Sequence, residues 1–250
     1  MGNIWDKMDG KQYITPIMAT IHRVVEDQEE LATLSLVNNI EEQAILEELL
    51  ETSKPKRPEE YEDLHYLLIT PFRYPPLQYG SRFGNTFEPS LFYGSLNVST
   101  ALAETAYYRF VFMAGMKEPY TDSILMTYSS YTIGIKTVHG IFLNKQPFNT
   151  VEQIISSPKY YSDTQKLGSS MRKANVEAFQ YSSTRDPEKG INVALFTPKA
   201  LQSKKPISIE RWICNITNEE IGFISNDNHN RLSFNRDLFL VDGLIPAPAC

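Results

Sequence analysis

"SILMTYSSYTIGIKTVHGIFL", Ser123 to Leu143, is dense in β-branched and aromatic side chains and predicts one or two strands. On its N-terminal side, "STALAETAYYRFVFMAG" predicts a helix that starts near Ser99 or Thr100 and stops at Gly115. That helix is apolar nearly all round, which places it in the interior. "SLFYGS", just before it, reads as a short strand. On the C-terminal side, Ser156 to Asn175 reads as helical from Ser162 or Asp163, with Gly168 weakening its middle. Strands follow at Ala178 to Tyr181 and Ile191 to Phe196. From Ile207 the alternation in "ISIERWICNI" and the turn residues of "SNDNHN" predict an antiparallel hairpin or meander. The sum is a mixed α+β fold without internal repeats or low-complexity segments.

Between Ile14 and Leu50, two sets of apolar residues mostly recur at helical spacing and predict two helices. They are Ile17, Ile21, Val24 and Val25, then Leu34, Leu36, Val37, Ile40, Ala44, Ile45 and Leu49. The second is acidic outside, with Glu41, Glu42, Glu47, Glu48 and Glu51, the pattern of a solvated face. "SKPKRPEEYEDL" then supplies the one polar, proline-containing segment, a candidate linker. Nothing before it is large enough to fold alone, so residues 1–60 are expected as a helical extension of a unit spanning 61–250.

With 42% hydrophobic and 22% charged residues, the 250-residue chain has the composition of an ordinary globular protein. A net charge of -6 and a pI near 5.3 argue against a surface built to grip nucleic acid, so any cation-driven chemistry must be local. Cys214 and Cys250 are too few for a disulfide framework and have no metal-binding spacing. His22, His65, His139 and His229 are scattered and read as structural, so no metal is expected. No stretch approaches a membrane span and no targeting signal is readable; a reducing cytoplasm fits best. GxGxxG, GxxxxGK[ST] and GxSxG motifs are absent.

Local cationic chemistry has a candidate in "TPFRYPPLQYGSRFG", Thr70 to Gly84. Prolines fix this backbone and glycines permit close approach, so Arg73 and Arg82 would lose little freedom on binding an anion. Guanidinium groups bind phosphate oxygens bidentately, and Tyr74, Tyr79 and Phe83 offer flat rings for a base. The plainer reading is two surface arginines on a bent loop. Glu104 is a carboxylate in an otherwise apolar helix and requires a partner, either Arg109, a loop arginine or a bound substrate. "YSSTRDPEKGINVALF" places Ser183 between a strand and a turn, where serine is ordinarily a turn residue.

Taken together and in this order, "FRYPPLQYGSRFG", "SLFYGS", "TALAETAYYRF" and "YSSTRDPEKGINVALF" resemble the RES domain family, named for its Arg, Glu and Ser, from about Leu64 to Leu201. The resemblance implies a fold related to ADP-ribosyltransferases, with a mixed and antiparallel sheet, and makes 61–250 an NAD-degrading domain. It further implies the toxin half of a bacterial toxin-antitoxin pair whose partner is an Xre-type helix-turn-helix antitoxin; a homodimer stays open. Carried onto this chain, the family arginines fall on Arg73 and Arg82, the tyrosines on Tyr74 and Tyr93, the carboxylate on Glu104 and the serine on Ser183. Ser182 is an alternative, because the family often has Pro before its serine. Glu104 would stabilise the oxocarbenium-like sugar, the arginines would hold the pyrophosphate, and the tyrosines would pack nicotinamide and ribose. Ser183 would orient them by hydrogen bond. The acceptor is left open between water and inorganic phosphate. A transferase that places ADP-ribose on a macromolecule, and a non-catalytic module with Glu104 ion-paired to arginine, are the competing readings.

Overall fold

A computed structural model describes residues 2–27, 36–56, 59–118 and 122–247. Its strands are β1 Thr15–Glu26, β2 Phe92–Ser95, β3 Ile124–Phe142, β4 Ala178–Ser182, β5 Ile191–Leu195, β6 Ser208–Ile216, β7 Glu220–Ser225 and β8 Arg231–Asn235. The helices are α1 Ile4–Lys7, α2 Ile40–Ser53, α3 Tyr66–Arg73, α4 Val98–Ala114, α5 Glu152–Ile155 and α6 Ser162–Lys173. The fold is α+β, as the sequence predicts.

The decisive stretch is a single strand. The 19 residues of β3 pair with β6 along their first half, with β1 along most of their length and with β4 at their end. The sheet runs β1-β2-β5-β4-β3-β6-β7-β8, and β1 also pairs with β3. Every pairing is antiparallel except β3 with β4. Five strands therefore close a ring, β1-β2-β5-β4-β3 and back to β1, and the contact of β1 with β2 rests on the single register pair His22↔Ser95. The antiparallel meander β6-β7-β8 extends from the ring, with "SNDNHN" turning between β7 and β8.

The strand β1 corrects the first of the two predicted N-terminal helices. Ile17, Ile21, Val24 and Val25 have helical spacing, but half of the segment is β-branched and it lies in continuous register with β3 from Ile17 to Glu26. Long-range pairing, absent from any local window, decides the conformation. The second helix forms as α2, capped by Asn39, whose side chain accepts from the Glu42 N–H at 2.8 Å. Leu34 and Cys250 lie outside the described residues.

Three apolar clusters fill the molecule. One, inside the ring, contains Ile17, Ile21, Phe92, Tyr131, Ile133 and Leu195. A second joins α4, through Leu102, Tyr107 and Phe110, to Trp212, Cys214, Phe223 and Phe234 of the meander. Burial pushes the Cys214 thiol up to about 12, so it packs as a small apolar side chain. The third joins Phe83, Leu167 and Met171 to Phe179 and Tyr181. Gly168 belongs to this contact. A β-carbon there would overlap the Phe83 carbonyl, so the glycine that weakens α6 is what lets the helix reach the 81–84 turn. No helix among the described residues is long and apolar enough to cross a membrane.

Candidate active site

The segment Ser81 to Gly84 folds into a tight turn closed by reciprocal backbone hydrogen bonds between its end residues, at 2.8 and 3.3 Å. Gly80 enters it at φ +71°, a conformation open to glycine without strain. Phe83 at the corner is fully buried, edge-on to Phe179 and Tyr181 at 4.7 and 4.8 Å. Tyr93 from β2 braces the turn: its hydroxyl lies 2.8 Å from Ser81 Oγ and accepts the Phe83 N–H at 3.3 Å. Burial pushes the Tyr93 hydroxyl up, so it stays protonated. Gln165 of α6 donates to the Tyr79 and Ser81 carbonyls, both at 3.1 Å. Arg82 is thereby held rigidly over a cavity.

That cavity, of about 260 Å³, lies where β1 meets β2 under α4. Three guanidinium groups line it: Arg23 from β1, Arg82 from the turn and Arg185 from the loop after β4. Arg82 donates to the carbonyls of Ile155 and Ser157 at 3.3 and 2.7 Å and lies 4.5 Å over the Tyr161 ring. Arg185 donates to the Pro158 carbonyl at 2.9 Å and stacks 3.7 Å from Tyr107. Both reach the Tyr161 hydroxyl, at 3.4 and 3.5 Å. Arg23 donates to the Tyr93 carbonyl at 2.6 Å, and its buried Nε–H has no hydrogen-bond partner among the described residues. Among the described residues none of the three forms an ion pair with a carboxylate. Neutral partners fix their positions without cancelling their charge.

Glu104 of α4 supplies the only carboxylate in the cavity wall among the described residues. Its Oε1 accepts from Ser183 Oγ at 2.7 Å and from Asn192 Nδ2 at 2.6 Å; its Oε2 takes no hydrogen bond among the described residues. Arg109, one candidate partner, instead pairs with Glu26 and the Tyr128 hydroxyl. The Ser183 hydroxyl is fully used, since it donates to Glu104 and accepts the N–H groups of Arg185 and Asp186, both at 3.1 Å. Its place in the structure is behind Glu104, 3% exposed, rather than in the cavity wall. Ser182 does not reach Glu104; its carbonyl accepts from Ser156 at 3.3 Å.

The structure thus brings together Arg82, Tyr93, Glu104 and Ser183 and leaves out Arg73 and Tyr74. That placement has a local cause. Thr70 to Arg73 is the last turn of α3, which stops before Pro75 and Pro76, and the Arg73 side chain turns back to α2. There it pairs with Glu51 at 2.9 Å and donates to the Pro55 carbonyl. Hydrogen bonds from Lys54 and then from Arg73 hold the Glu51 carboxyl down at about 2. Tyr74 stands 39% exposed outside the cavity. Arg23, Arg185 and Asn192 also line the cavity and were not singled out in the sequence. Asn192 carried a readable signal: a lone amide in the apolar strand "INVALF" demands a partner by the same rule that singles out Glu104. Arg23 was hidden by the helical reading of β1.

Three guanidiniums without an ion pair among the described residues, facing one carboxylate, have the chemistry to hold a small anionic ligand. The chain belongs to the RES domain family, whose model matches residues 55–215. Arg23 precedes the matched residues. No curated protein matches the chain. A chain of the solved M. tuberculosis MbcT-MbcA toxin-antitoxin complex is similar at 9% identity, with 85% of this chain and 91% of that chain covered and a TM-score of 0.47.

Proposed function

We propose that this protein degrades NAD by breaking the bond between nicotinamide and ribose, and that it acts as the toxin of a toxin-antitoxin pair in the cytoplasm. The observation that carries the reading is Glu104, whose Oε2 takes no hydrogen bond among the described residues, in the wall of a cavity also lined by Arg23, Arg82 and Arg185. Family membership and the ADP-ribosyltransferase kinship it implies support the same substrate. The pyrophosphate brings two negative charges to three guanidiniums, held by bidentate hydrogen bonds. At about 260 Å³ the cavity is small for a whole dinucleotide, so it takes the nicotinamide ribose and leaves the adenine half towards the mouth.

In the reaction, the electron pair of the C1′–N bond passes to the nicotinamide ring nitrogen, which loses its positive charge and leaves neutral. Positive charge then develops on the ribose, and Glu104 Oε2 stabilises it in a site where such charge pairs are strong. Water or inorganic phosphate adds its oxygen to C1′; with water, a proton is released. Tyr93 fixes the Arg82 turn, and Ser183 holds Glu104. An enzyme of this activity requires silencing, and an Xre-type helix-turn-helix antitoxin covering the cavity mouth fulfils that need. Purified protein incubated with NAD, with and without phosphate, is expected to release nicotinamide, quantified by chromatography. Its absence under both conditions sinks the reading.

A further inference from the structure

We infer that Asn192, latched by Ser95, is a positioning residue that fixes the Glu104 carboxylate with one oxygen saturated and the other facing the cavity. Asn192 sits on β5, 3% exposed, in register with Ser95 of β2 on one side and Tyr181 of β4 on the other. Its Nδ2 donates to Glu104 Oε1 at 2.6 Å, and its Oδ1 accepts from Ser95 Oγ at 2.7 Å, with Ser95 2% exposed. An ionised carboxylate only accepts, so the amide must turn its NH₂ to Glu104 and its oxygen to Ser95. The hydroxyl of Ser95, donating to that oxygen, locks the orientation.

Two donors from different elements therefore converge on one oxygen: Asn192 from β5 and Ser183 from the turn after β4. Bonding to the charged form favours it, and fixing Oε1 leaves Oε2 as the face presented to substrate. Other charged or titratable groups around Glu104 are Arg82, Arg185, Tyr107, Tyr108, Tyr161 and Tyr181, with Arg23 and His22 across the cavity. None of them donates to Oε1, so the grip on that atom belongs to the Asn192 and Ser183 pair.

The role in catalysis rests on the NAD reading, but the grip on Glu104 is measurable without substrate. Side-chain carboxyl resonances of ¹³C-labelled protein, with Glu104 assigned by its loss in Glu104→Gln, are titrated in wild type, Asn192→Leu, Asn192→Asp and Ser95→Ala. The Glu104 midpoint is expected to rise by about one unit in Asn192→Leu. It rises further in Asn192→Asp, where two carboxylates in contact share a proton. In NAD turnover, Asn192→Leu lowers kcat roughly 100-fold while KM stays within about threefold. Ser95→Ala, which keeps Asn192 in place, carries the test if Asn192→Leu does not fold, with a smaller shift in the same direction. Unchanged Glu104 midpoints in the folded variants overturn the inference. Wild-type protein that leaves NAD intact while these midpoints shift overturns the NAD reading and leaves the carboxylate grip standing.

Discussion

Replacing Glu104 by glutamine removes one charge and almost no volume. The glutamine carbonyl oxygen can keep both hydrogen bonds now made by Oε1, from Ser183 at 2.7 Å and Asn192 at 2.6 Å, so the side chain stays where it is. What changes is the cavity: three guanidiniums remain and no carboxylate opposes them. NAD brings negative charge, so ground-state binding holds or tightens and KM does not rise. The transition state fares differently, because the ribose gains positive charge beside an atom that is no longer anionic. Unit charges about 4 Å apart at an effective dielectric near 20 interact by about 4 kcal/mol. That energy corresponds to roughly a 1,000-fold change in rate, and partial charge and the open mouth reduce it towards 100-fold. Nicotinamide release from purified wild type and Glu104→Gln, over a range of NAD concentrations and alongside thermal unfolding, measures both terms. A variant that folds and keeps kcat within about tenfold of wild type refutes the electrostatic role of Glu104.

The arginines separate cleanly by position. Alanine at Arg23, Arg82 or Arg185 is expected to raise the KM for NAD by roughly 10- to 100-fold, since each removes a charge-assisted contact, whereas Arg73→Ala leaves KM unchanged. Arg73→Ala instead frees α2, so its amides exchange faster with solvent while Tm falls by no more than about 4 °C. Gly168→Ala forces α6 off the Phe83 carbonyl and should cost about 2 kcal/mol or more in denaturant unfolding, with a raised KM as the Arg82 turn shifts. His22 is held below its ordinary value of 6.5, mainly by burial and against an opposing pull from Glu210. The folded protein therefore resists taking a proton that the unfolded chain accepts, so the stability is present above pH 6.5 and is lost as the pH falls below it. His22→Gln should flatten this part of a Tm-against-pH curve; an unchanged curve contradicts the assignment.

Elements with a strong local signature were legible. β3, the meander β6-β7-β8 and the helix α4 follow from β-branched density, alternation and an all-round apolar stretch. The strand β1 was not, because Ile17, Ile21, Val24 and Val25 satisfy a helical period, and only pairing with a strand more than a hundred residues later overrides it. The same division runs through the candidate site. A carboxylate in an apolar helix announces itself, and a glycine-flanked arginine after two prolines suggests a rigid turn, so Glu104 and Arg82 stood out. Arg73 stands just before the same two prolines, and the sequence does not say that a helix ends there and aims it at Glu51 instead. Arg23, Arg82 and Arg185 come from three separate segments, and their convergence exists only in the folded chain.

In the proposed complex one cavity seats the pyrophosphate on Arg23, Arg82 and Arg185 and the nicotinamide ribose against residue 104. A crystal structure of the Glu104→Gln protein soaked with NAD tests this arrangement, because slowed turnover preserves the substrate. Phosphate oxygens within hydrogen-bond distance of those guanidiniums, with C1′ facing the residue-104 side chain, are the predicted result. NAD bound elsewhere on the molecule, or a cavity that stays free of the dinucleotide at saturating concentration, contradicts it.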